Sequence, residues 1–73
     1  MNELQRLRDS LDAKADKLDR EHDYLQQLLD PAIAGSVVSP ESAALIVSQA
    51  KRVRSMSSDV VKLVAQLRDN LQA

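Results

Sequence analysis

The leucines of the first thirty residues recur at steps of three and four: Leu4, Leu7, Leu11, Leu18, Leu25 and Leu28. This spacing puts them on one face of an α-helix and predicts a helix from about Asn2 to about Asp30, ended by the Asp30-Pro31 pair. A strict seven-residue repeat would set Lys14 and Glu21 into that face between Leu11 and Leu25. Reading the stripe as Leu7, Leu11, Ala15, Leu18, His22, Leu25 and Leu29 avoids both charges with one stutter, which locally straightens the supercoil. The second register is the one expected here.

A break follows. Residues 31–39 hold the only glycine, Gly35, and both prolines lie at or just beyond the ends of this linker. Ser39 is a good N-cap, Pro40 is preorganised for a first helical position, and Glu41 complements the positive end of a helix dipole. A second helix is therefore expected from about Pro40 to residues 71–72. One apolar line runs Ile46, Val53, Val60, Leu67, and a second runs Ala43, Ala50, Ser57, Val64, Leu71. Small residues near the loop would let the helices approach closely there, so the pair should splay toward the open end. The short loop forces an antiparallel arrangement, placing Leu25 near Leu45 and Leu4 near Leu67. The expected fold is all-α: a two-helix antiparallel coiled-coil hairpin forming one domain over residues 1–73, completed into a bundle by oligomerisation or a partner. Tyr24 is the sole aromatic residue, which leaves a strand-built fold little to stand on.

Length makes a partner relevant. At 73 residues and 8.1 kDa a lone core is marginal, and small domains commonly add disulfides, a metal or a partner. There is no cysteine and one histidine, His22, so association is the remaining common route. The absence of cysteine is compatible with a reducing cytoplasm without demanding one. No apolar run is long enough to span a bilayer, and Glu3 and Asp9 do not suit a signal peptide.

The apolar residues near the open end exceed one stripe. Val60, Val61, Leu63, Val64, Leu67 and Leu71 spread around the second helix, while the first offers only Leu4, Leu7 and Leu11 opposite them. One neighbouring helix cannot cover such a spread. These nine residues form the candidate partner-binding face, and Val61 and Leu63 are expected to stay in water until another chain packs there, whether a second copy or a helical protein partner. A further apolar cluster surrounds the loop: Leu28, Leu29, Ile33, Val37, Val38, Leu45 and Val47. Its simplest reading is a plug over the hairpin core, with a docking tip as the alternative.

Charge adds a weaker candidate. The net charge is −1, which gives no overall attraction to nucleic acid. Residues 1–30 carry eight acids against five bases, and residues 40–73 carry three acids against five bases, so the helices are electrostatic complements. Lys51, Arg52 and Arg54, followed by Ser55, Ser57 and Ser58, could contact phosphates. No aromatic residue lies nearby to stack a base, and an intramolecular complement to the acidic first helix is the simpler reading. Asp9, Asp12, Asp16, Asp19 and Asp23 form an acidic stripe that reads as a solvated face. Asp19 and His22 have a metal-site spacing without the further ligands a metal needs. No cofactor, metal or small-molecule substrate is expected. With no cysteine nucleophile, no glycine-rich phosphate loop and no pocket, neither is catalysis.

No residue motif identifies a family. In size and outline the chain resembles the needle-subunit co-chaperones of bacterial type III secretion, in which a cysteine-free acidic hairpin holds a partner chain. That resemblance implies a small secretion-type co-chaperone. Needle subunits are hairpins as well, but their polar loop is replaced here by an apolar one. The expectation taken forward is a non-enzymatic interaction or assembly module, with a nucleic-acid-contacting regulator acting through Lys51, Arg52 and Arg54 as its rival.

Overall fold

The computed structural model describes residues 2–72. Helix α1 spans Glu3–Ile33 and helix α2 spans Pro40–Gln72. Packed side by side they make an all-α hairpin with extents of 53 × 16 × 14 Å.

Local chemistry explains three of the four helix ends. Asn2 caps α1, its side chain accepting the Gln5 N–H at 2.8 Å. Ser39 does the same for α2, its hydroxyl accepting the Ser42 N–H at 3.1 Å, with Pro40 as the first helical residue. The C-terminus of α1 departs from expectation, because the helix runs through Pro31 to Ile33. Gly35 closes it with φ 93°. The Gly35 N–H donates to the Ala32 carbonyl at 3.1 Å, and the Ser36 N–H reaches back to the Pro31 carbonyl at 2.9 Å. This pair of bonds is the Schellman arrangement, which satisfies the last carbonyls of a helix and needs a left-handed residue where glycine stands. Pro31 withholds one N–H but contributes a carbonyl to the closure. The connection is thus residues 34–39, shorter than the 31–39 expected.

The seam shows which face each helix turns inward. On α1, Leu7 is buried at 5% exposure, while Leu11, Ala15, Leu18, Glu21, Leu25 and Leu28 are half-buried. The expected stutter holds at Ala15, with Lys14 exposed, and fails two turns later: Glu21 lies inward and His22 outward. On α2 the line Ile46, Val53, Val60, Leu67 is half-buried throughout. Its companion is Gln49, Met56 and Leu63, and the expected line Ala43, Ala50, Ser57, Val64, Leu71 is exposed. Both candidate lines flank the first, at three and at four residues' remove. Leu63 and Met56 bury far more apolar surface than Ser57 could, and Gln49 finds a partner across the seam. With Ala43, Ala50 and Ser57 outside the contact, small residues do not set the interhelix distance near the loop, and the expected reason for a splayed open end is removed.

Candidate interaction surface

The two helices are registered by a polar contact within an otherwise apolar seam. Gln49 is buried at 7% exposure. Its Nε2 donates to the Glu21 backbone carbonyl at 2.9 Å and to the Glu21 carboxylate at 2.7 Å. Arg52 closes on the same carboxylate, Nε to Oε1 at 3.2 Å. The Gln49 amide holds the Glu21 carboxyl below its ordinary pKa, against some desolvation, and Arg52 lowers it further. A lone carboxylate in the seam would be unfavourable, and these partners explain why Glu21 sits where apolar periodicity would not place it. Counting along both helices from the Glu21–Gln49 contact puts Leu25 at about the level of Leu45 and Ile46, and Leu4 at about that of Leu67. Of the two, Ile46 faces inward and Leu45 is exposed.

This register splits the nine residues expected to bind a partner. Leu7 is buried, and Leu11, Val60, Leu63 and Leu67 are half-buried between the helices, so the hairpin itself uses them. Leu63, expected to remain in water, belongs to the seam. Val61, Val64 and Leu71 stay outside at 65%, 49% and 67% exposure, and Leu4 lies at the margin. The outward residues lie on two adjacent lines of α2: Val47, Arg54, Val61 and Arg68 on one, and Ala43, Ala50, Ser57, Val64 and Leu71 on the other. Each line repeats every seven residues. Beside the seam packed on α1, α2 therefore carries a second, open strip in which apolar, small and basic residues are interspersed. Of the seven apolar or small positions on these lines, the sequence pointed to Val61, Val64 and Leu71 as an outward face, whereas Val47 was grouped with the loop and Ala43, Ala50 and Ser57 with the hairpin seam alone.

The loop cluster divides as well. Leu28, Leu29 and Val38 are half-buried, whereas Ile33 and Val37 stand in solvent, Val37 almost completely. Val38 is the one loop valine that packs back, so the expected plug is a partial one.

The basic trio does not form one surface. Arg52 leans over the seam to Glu21, whereas Lys51 and Arg54 line a shallow groove on the back of α2 with Ser55, Ser58, Asp59 and Lys62. Among the described residues no group of three or more His, Asp or Glu side chains converges in a way that could hold a metal ion. A concavity of about 660 Å³ is lined by α1 alone, from His22 to Ile33, and lies open along the helix. Neither helix is long and apolar enough to cross a membrane.

Compared with protein-family models, characterised proteins and solved structures, the chain matches none of them.

Proposed function

We propose that this chain is a non-enzymatic protein–protein interaction module, a helical hairpin that binds a further helix along the open strip of α2. The observation that carries this reading is the exposure of Val61, Val64 and Leu71 on two adjacent heptad-spaced lines, in a helix whose opposite lines are already packed. The total surface supports it. A compact 8.1-kDa protein exposes on the order of 4,500 Å², and this chain exposes 5554 Å². The difference is about what one partner contributes to a standard protein–protein interface, roughly 800 Å².

The test is a double substitution, Val61→Asp with Val64→Asp. Association is followed by light scattering of the chain alone and by mixing it with an amphipathic helical peptide. The reading predicts association in one of these two forms, lost in the double variant while helix content by circular dichroism is kept. A wild-type chain that associates in neither form, or a variant that associates as the wild type does, contradicts it.

A further inference from the structure

The open strip has a chemistry that selects its occupant. Resting on the reading of that strip as an interaction surface, we infer that it takes an acidic amphipathic helix from another protein, and not a second copy of this chain.

The stripe makes two demands. Val47, Val61, Val64 and Leu71 require apolar contact. Arg54 and Arg68, standing between them on the Val47–Val61 line, require negative charge. The two arginines are fourteen positions apart, about 21 Å along the axis, so acids two heptads apart on one edge of a partner helix would meet both. Lys51 and Lys62 extend the positive edge along the groove beside Arg54. Asp59 and Asp69 are the opposing charges on this side. Asp69 lies 3.5 Å from Arg68 in a pair that is more than half exposed on both sides, and such a pair is weak and readily exchanged.

A second copy meets these demands only one at a time. Its α2 stripe supplies the apolar residues but brings its own arginines. Parallel pairing sets Arg54 against Arg54. The antiparallel alignment that sets Val61 against Val64 brings Arg54 within about one turn of Arg68 of the other copy. Its α1 supplies the charge, with Asp9, Asp16, Asp23 and Asp30 every seven residues and Asp12 and Asp19 beside them. Among the described residues, though, the large apolar side chains exposed on α1 are Leu4, Tyr24 and Ile33, which do not form a stripe. An occupant satisfying both demands has leucine-like residues at heptad spacing flanked by glutamate or aspartate.

The experiment uses the full chain and two labelled 28-residue helical peptides with the same leucine heptads, one flanked by glutamates and one by lysines. Fluorescence anisotropy is read at low and high salt. The Glu-flanked peptide is expected to bind at least tenfold more tightly than the Lys-flanked one and to weaken as salt rises. Arg54→Glu with Arg68→Glu should reverse that preference, and Val61→Asp with Val64→Asp should abolish binding of either peptide. Both arginines are exposed, so their reversal leaves the hairpin seam intact. Equal affinity for both peptides overturns the acidic specificity while leaving the stripe an interaction surface. So does a stable dimer in light scattering that excludes the Glu-flanked peptide, which would make a second copy the occupant. A monomer that binds neither peptide removes the interaction surface as well.

Discussion

At the residue scale, the contact among Glu21, Gln49 and Arg52 makes a pH-dependent contribution to stability. Glu21 holds its proton less tightly in the folded chain than in the unfolded one, because Gln49 and then Arg52 favour the carboxylate. Its contribution is therefore fully present above the ordinary glutamate pKa of about 4.3 and is lost as pH falls through the lower folded value. Thermal unfolding followed from neutral to acid pH should show this loss, and Glu21→Gln should remove its share of the slope. Gln49→Ala deletes a buried donor; a hydrogen bond is worth roughly 1 kcal/mol net, which lowers the melting temperature of a chain this size by roughly 4–8 °C. Gln49→Leu should recover stability but weaken the preference for one register, visible as broadened backbone resonances. None of this was open to periodicity alone. Apolar spacing argued for moving Glu21 out of the seam and His22 in, since the residues that make Glu21 tolerable lie on the other helix, 28 positions away in the case of Gln49.

At the element scale, what was legible was what is decided locally. The start of α2 was readable because Ser39, Pro40 and Glu41 are adjacent and each acts on its own first turn. The end of α1 was misplaced by three residues because Pro31 is a strong stop signal, while the residue that closes the helix, Gly35, lies four positions beyond it. Gly35→Ala tests that closure. Nothing lies within 4 Å of where the new methyl would sit, so the penalty is purely the left-handed backbone, about 1–2 kcal/mol. Asparagine at the same position should be milder. Chemical denaturation of the two variants measures the difference. On α2 the line Ile46, Val53, Val60, Leu67 was legible, but its companion line was not. Two lines three and four residues away compete in any amphipathic helix with a broad apolar face, and the choice depends on what the opposite helix offers.

At the scale of the whole molecule, the hairpin is elongated and under-buried. Its radius of gyration is 16.5 Å, against about 11 Å for a compact chain of this length. Among the described residues, Leu7 and Gln49 alone are buried, and neither completely. The exposed apolar surface of α2 was legible as an excess of apolar residues over one stripe. Its position was legible only in part, because five of the nine proposed contact residues proved to hold the hairpin together. A charge at Leu63 therefore tests the fold, and a charge at Val61 tests the surface.

The division of α2 into an occupied seam and an open strip is tested most directly by thermal unfolding of Leu63→Asp beside Val61→Asp, followed by far-ultraviolet circular dichroism. Valine and aspartate have similar helix propensities, so Val61→Asp should stay within about 0.5 kcal/mol of the wild type. Leu63→Asp loses apolar burial and places a charge between the helices, and should destabilise by more than about 2 kcal/mol. Equal losses in the two variants, or a larger loss at Val61, would contradict the assignment of Leu63 to the hairpin and Val61 to the open strip.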